Sequence, residues 1–258
     1  MGERGARADE EGRDLRPALE EVLRRRGGEP RQAVTGGPTA YSFEWSAIWR
    51  GLPYLLQGAG LTILISAQAM VLAVALGLVL AALTQVRGGV ARPLVRAYVE
   101  VFRNTPLLIQ IFIVYFGLPQ LGLRLAPFAS GLVALVVYAA AYNAEIFRAG
   151  LEAVPKGQHE AARSIGLGAW QAMRFVIVPQ AIRIAFPALG NNLVSLVKNS
   201  SLVSTIGMVE LMFVANDISF NNFRTFEIYG TTAGLYILLV MLLTRALHLA
   251  ERRMARVR

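Results

Sequence analysis

The chain of 258 residues contains no cysteine, which excludes disulfides, zinc–thiolate centres and iron–sulfur clusters. It has only two histidines, His159 and His248, so a metal site or proton relay would have to be built from other groups. Charge is also scarce: 17% of residues are charged against 55% hydrophobic, too apolar a balance for a soluble domain and one that points to a polytopic membrane protein. No G-x-x-x-x-G-K-[ST] phosphate loop occurs, so this chain does not itself hydrolyse ATP. Nor does any apolar stretch carry H-E-x-x-H, paired aspartates or a Ser/His array, which excludes the common intramembrane enzymes. The net charge of +9 is not a nucleic-acid signature, because the basic excess sits at the ends of apolar stretches, where arginine and lysine fix membrane orientation.

Residues 1–40 stand apart, mixing eight arginines with eight carboxylates and the Gly/Pro-containing run RGGEPRQAVTGGPT. Such a stretch buries too little apolar surface to fold alone and reads as a flexible charged tail. No apolar core of signal-peptide length precedes Tyr41, so no cleavable signal peptide is expected. Residues 41–56, YSFEWSAIWRGLPYLL, place aromatic and aliphatic side chains at helical spacing and suit an interfacial anchor. Residues 57–250 then form the transmembrane domain, and 251–258 a basic C-terminus. Within it five stretches, near 57–84, 94–118, 128–148, 183–206 and 229–249, each supply the roughly 20 apolar residues a bilayer crossing needs. The expected fold is therefore an all-α membrane protein of about five transmembrane helices. The first stretch carries Ala69, Ala73, Gly77 and Ala81 at four-residue intervals, a seam that admits a neighbouring helix closely. Pro106 is expected to kink the second.

Basic residues give an orientation. Arg87, Arg92 and Arg96 follow the first span, Arg148, Lys156, Arg163, Arg174 and Arg183 border the segment after the third, and Arg245, Arg252, Arg253, Arg256 and Arg258 close the chain. The other two loops offer only Arg124 and Arg224. The C-terminus is thus expected in the cytoplasm and, with five spans, the N-terminus outside.

Between the third and fourth spans runs YNAEIFRAGLEAVPKGQHEAARSIGLGAWQAMRFVIVP. A helix beginning after Pro155 and Lys156 would set Ala161, Ala162 and Ile165 on one side, flanked by Glu160 and Arg163, with Gly166 allowing a sharp exit. Small side chains let a partner approach the backbone, so such a helix can lie in another protein's cleft; taken alone, the pattern equally fits an amphipathic helix on the membrane surface.

The spacing decides between them. Glu160, Ala161 and Ala162, then three residues, Gly166, nine residues, and Val176, Ile177, Val178, Pro179 closely resemble the EAA loop of permease subunits of binding-protein-dependent ABC importers, here over 155–179. The ending departs conservatively from I-x-L-P in its aliphatic positions. FRNTPLLIQIF, AEIFRAGLEAVPKGQ and KNSSLVSTIG are similar to the polar amino acid branch, the permeases for histidine, arginine, glutamine, glutamate and opines. The resemblance implies a non-catalytic subunit of a multi-pass bacterial inner-membrane transporter that moves a polar amino acid into the cytoplasm. It further implies ATPase docking at Glu160, Ala161, Ala162 and Gly166; ATP and Mg held by a partner ATPase dimer; a second permease chain; and an extracytoplasmic solute-binding protein meeting the outer loops, including Gly207 to Glu227. An ATP-independent channel or membrane scaffold is the alternative, and it has no use for the docking helix.

Polar residues inside the spans are the second signal, because intramembrane charges are costly and usually face a protein interior or an aqueous path. Glu100, Arg103 and Gln110 share a stripe in the second span with Asn104 alongside, and Glu100 and Arg103 are spaced to neutralise one another. Tyr142, Asn143 and Glu145 follow in the third, with Tyr138 on the same face, and Asn191, Asn192, Ser195, Lys198 and Asn199 in the fourth. Together they are candidates for a substrate path or gate; individually each also suits helix–helix hydrogen bonding.

Overall fold

A computed structural model describes residues 41–85 and 90–256. The expected tail over 1–40 lies outside these residues, as do Arg87 and Arg258. The chain divides after Phe43, and the larger unit contains every helix named below. Among the described residues no strand occurs.

α1 spans Trp45–Gln85, 41 residues without interruption. At 1.5 Å per residue that is about 60 Å, twice the hydrocarbon thickness of a bilayer. The boundary expected near residue 57 is therefore not a structural one. Leu55 and Ala59 are buried against Leu211, Ala215 and Ile228, so the anchor segment is packed into the bundle as part of the same helix. Further along, the small-residue seam does what its spacing predicts. Ala69 and Ala73 are fully buried, and a Cβ added at Gly77 would fall 2.7 Å from Cβ of Asn143 on the third span.

The second span is broken rather than kinked. α2 (Ala91–Asn104) and α3 (Leu107–Phe112) turn through 107°, with the helical path continuing from α3 to Leu121. The cause is local: proline forbids helical backbone on the residue before it, and Thr105 is extended at φ −102°, ψ 132°. The freed carbonyls are answered by Gln110, whose Nε2 donates to O of Phe102 and to O of Thr105, both at 2.9 Å.

α4 (Pro127–Glu152) begins on a proline, where the missing N–H costs nothing, and packs more extensively on α1 than any other element does. After α5 (Lys156–Ser164) the chain enters one arm: α6 (Ala169–Ala172), a π turn over Met173–Ile177, then α7 (Val178–Asn199). This fourth crossing starts earlier than residue 183 and ends in a 3-10 turn over Ser200–Ile206, where Ser200, Ser201, Ser204 and Thr205 each donate back to the carbonyl three residues before.

The segment Gly207 to Glu227, expected as an outer loop, contains a helix, α8 (Leu211–Asn222). Glu210 caps it, accepting from N of Phe213 at 2.8 Å. Leu211 and Ala215 then bury fully against α1, an apolar stripe too short to register as a span. α9 (Thr225–Arg256) closes the chain. Among the described residues four helical stretches are long and apolar enough to cross a membrane, five when the bent pair counts as one. The outward faces remain apolar, with Val71 69% and Ile237 61% exposed, as a lipid-facing surface requires.

Candidate functional site

Arg92, Arg96, Glu100 and Arg103 recur along α2 at spacings of four, four and three, so they form one charged stripe. The bend at Thr105–Pro106 swings that stripe across Glu145, Arg148 and Glu152 of α4, and the two line a cavity of about 1160 Å³. His159 of α5 and Met173 and Ile177 of the following arm complete its wall.

The charges in this cavity are only partly spent on one another. Arg148 donates Nε to Oε2 of Glu145 at 3.0 Å, pairs a second time with Glu145, and reaches Oε1 of Glu152 at 2.6 Å. The guanidinium of Arg103 instead lies over the ring of Tyr142, 5.2 Å from its centroid, a cation–π contact at an exposed arginine. Among the described residues no ion pair joins Arg103 to Glu100, contrary to the expectation from their spacing. Glu100 and Arg103 both line the cavity, with Arg92 and Arg96 beside them on α2.

The structure places the predicted path residues in four different ways. Glu100, Arg103, Tyr142 and Glu145 come together around the cavity. Asn143, Asn192 and Gln110 do not line it: Asn143 is fully buried and accepts from Nδ2 of Asn192 at 2.8 Å, and Gln110 braces the break. These three are joints between helices. Asn104 folds back on the carbonyl of Glu100 at 2.8 Å. Asn191, Ser195, Lys198 and Asn199 stand apart from the cavity, on α7. Sequence reading assigned Arg92, Arg96 and Arg148 to membrane orientation alone and passed over Glu152 and His159. The four-residue spacing from Arg92 to Arg96 to Glu100 was the signal available.

α5 stands at the cavity's edge. Glu160 and Ala161 are exposed, and Ile165 is 76% exposed. Ala162 is 3% exposed, packed toward the chain's own body, so it does not share the outward side expected of it with Ala161. The helix ends in a Schellman motif: N of Gly166 donates to O of Arg163 at 3.0 Å and N of Leu167 to O of Ala162 at 3.1 Å, with Gly166 at φ +83°. An L-residue there pays the left-handed penalty, which is why glycine closes this helix.

Residues 73–256 match the family described as the binding-protein-dependent transport system inner membrane component. The glutamine transport system permease protein GlnP of Escherichia coli K12 is 36% identical over 214 residues, which is 82% of this chain and 98% of that protein. The probable glutamine ABC transporter permease protein GlnM of Bacillus subtilis is 46% identical over 158 residues, 61% of this chain and 73% of that one. Among solved structures, an amino acid ABC transporter with histidines superposes with a TM-score of 0.79 at 37% identity, covering 83% of this chain and all of the other. The MetNI methionine ABC transporter, at 23% identity and a TM-score of 0.61, shares the fold. With most of its length matched, this chain belongs to the family of inner-membrane components of binding-protein-dependent transport systems.

Proposed function

We propose that this membrane permease subunit moves a polar amino acid into the cytoplasm, powered by a separate ATPase that grips α5. The observation that carries the reading is the union of two features in one place: an exposed helix with the EAA spacing, ended at Gly166, and a charged cavity whose wall includes His159 of that same helix. Glu160 and Ala161 present a small, charge-tipped surface suited to a cleft, and Gly166 sets the angle at which the arm leaves it. Ala162 serves as the inner footing of the same helix.

A polar amino acid carries a carboxylate and an ammonium group, and the cavity offers both complements. Arg103, backed by Tyr142, suits the carboxylate, and Glu100 suits the ammonium group. The names of the relatives, which include glutamine permeases, support a substrate of this class. A pair of permease chains, an ATPase dimer holding ATP and Mg, and an extracytoplasmic solute-binding protein complete the transporter. The basic ends of the spans support a cytoplasmic position for α5 and the C-terminus. ATP binding closes the ATPase dimer, α5 follows as a rigid body, and the spans alternate between inward- and outward-open states.

The test is to replace Glu160 with lysine or Gly166 with valine and to measure substrate-stimulated ATP hydrolysis in the assembled, reconstituted transporter. Membrane insertion should be retained and stimulation lost. Normal coupled uptake by both variants would sink the docking assignment.

A further inference from the structure

Where α1, α4 and the arm from α6 to α7 meet, near the end that carries α5, an apolar groove of about 310 Å³ opens on the surface of the bundle. Leu78 and Ala82 line it from α1, Phe147 and Leu151 from α4, and Trp170 and Ile182 from the arm. Its depth comes from Ala81 and Ala181, each 4% exposed, where longer side chains would fill the slot. Along the arm Trp170, Met173, Val178 and Ile182 line the groove, and Arg174 follows Met173 within that run without lining it. Arg174 is exposed and forms no ion pair among the described residues; its guanidinium lies 5.6 Å from the ring centroid of Phe175. Trp170 is 72% exposed, as an indole at a bilayer interface would be.

We propose that this groove binds one acyl chain of an anionic phospholipid whose phosphate is held by Arg174. The groove is cut into helices long and apolar enough to cross a membrane, close to their ends, where acyl chains meet headgroups, and a slot left empty there would forfeit the dispersion contacts of its walls. At the same end an arginine without a carboxylate partner faces the interface, and a phosphate oxygen pair matches its fork. The bound chain separates Phe147 and Leu151 of α4 from Trp170 and Met173 of the arm. It therefore wedges the joint through which movement of α5 reaches α7. The proposal rests on the membrane-spanning architecture and not on ATPase docking, so the two can fail separately.

The experiment uses the full chain with Trp45 and Trp49 replaced by phenylalanine, leaving Trp170 as the one tryptophan of the three present. The protein is reconstituted in phosphatidylcholine vesicles containing a rising fraction of phosphatidylglycerol or phosphatidylcholine with brominated acyl chains, which quench an indole on contact. Brominated phosphatidylglycerol should quench at about fivefold lower mole fraction, the preference one arginine confers on an anionic lipid. Arg174→Gln should abolish the preference, Arg174→Lys retain it, and Ala82→Phe, which fills the groove, weaken quenching by both lipids. Equal quenching by the two lipids, or a preference that survives Arg174→Gln, overturns the proposal. Repeating the titration with the ATPase bound adds a further arm. Persistent quenching supports a lipid site, whereas its disappearance gives the groove to a protein contact and overturns the proposal.

Discussion

The side-chain amide of Asn192 on α7 donates to Oδ1 of Asn143 on α4 at 2.8 Å, and Nδ2 of Asn143 in turn points at Sδ of Met70 on α1, 3.9 Å away. Three spans are thus joined at one fully buried amide, on the side of α4 where Gly77 brings α1 closest. Asn192→Ala leaves a buried carbonyl oxygen without its donor. A hydrogen bond between membrane helices is worth about 0.6 kcal/mol on average and at most about 1.7, so a modest fall in the thermal midpoint in detergent is expected. Cysteine at position 143 should resist small polar thiol reagents, whereas cysteine at 103 or 145 should label. Rapid labelling at 143 would return it to the solute path.

Two glycines of α1 make a matched pair. A Cβ at Gly77 meets Cβ of Asn143 at 2.7 Å and N of Ala144 at 3.1 Å, while a Cβ at Gly60 meets nothing within 4 Å. Gly77→Ala should cost about 1–3 kcal/mol through overpacking. Gly60→Ala should be neutral or stabilise by about 0.5–1 kcal/mol, through the lower backbone entropy lost in a helix. Equal thermal shifts for the two would argue against the close approach of α1 and α4.

Gln110 holds the bend that brings α2 over the cavity. Gln110→Leu keeps the volume and strips the donors from the partly buried carbonyls of Phe102 and Thr105, at a cost of up to about 1–3 kcal/mol each, offset in part by removing a buried Oε1 that has no partner among the described residues. Loss of stability should come with altered labelling of cysteines at 100 and 103, because the stripe they belong to is set by this joint.

Glu210 is fully buried and accepts from Oγ1 of Thr62 at 3.2 Å, from the Tyr236 hydroxyl at 2.9 Å and from N of Phe213 at 2.8 Å. Burial outweighs these donors and raises its pKa above the usual 4.5. A carboxyl with a folded pKa above its unfolded one binds its proton more tightly when folded. Its contribution to stability is therefore full below the unfolded pKa and lost as pH rises toward the folded one. The thermal midpoint of the native chain should decline over that window, and Glu210→Gln should flatten the decline. An unchanged pH profile in the variant would place the dependence elsewhere.

On α5 the two alanines should behave differently. Ala162→Leu crowds a position that is 3% exposed and should lower thermal stability by about 1–3 kcal/mol. Ala161→Leu, on the exposed side, should leave stability unchanged and reduce substrate-stimulated ATP hydrolysis. Reversed phenotypes would mean that the helix docks by its other face.

Much of this protein is legible along the chain because its signals are local. Apolar length marks the spans, since a bilayer imposes a minimum; four-residue spacing of small residues marks the seam; and Gly166, which takes the left-handed turn at φ +83° without a Cβ penalty, marks the end of α5. The EAA spacing carried the family, because it is a fixed register of residue types that can be read directly along the chain.

What sequence left open depends on where backbones cross. Glu100 and Arg103 have the spacing of an ion pair, yet the bend at Pro106 turns them toward a cavity and sets Arg103 over Tyr142. Asn143 and Asn192 have the look of path residues, yet they meet 49 positions apart as a joint. A polar side chain reads the same whether it faces water, a solute or another amide. Its role is chosen by the neighbour that tertiary packing brings to it, and that neighbour lies on a different helix.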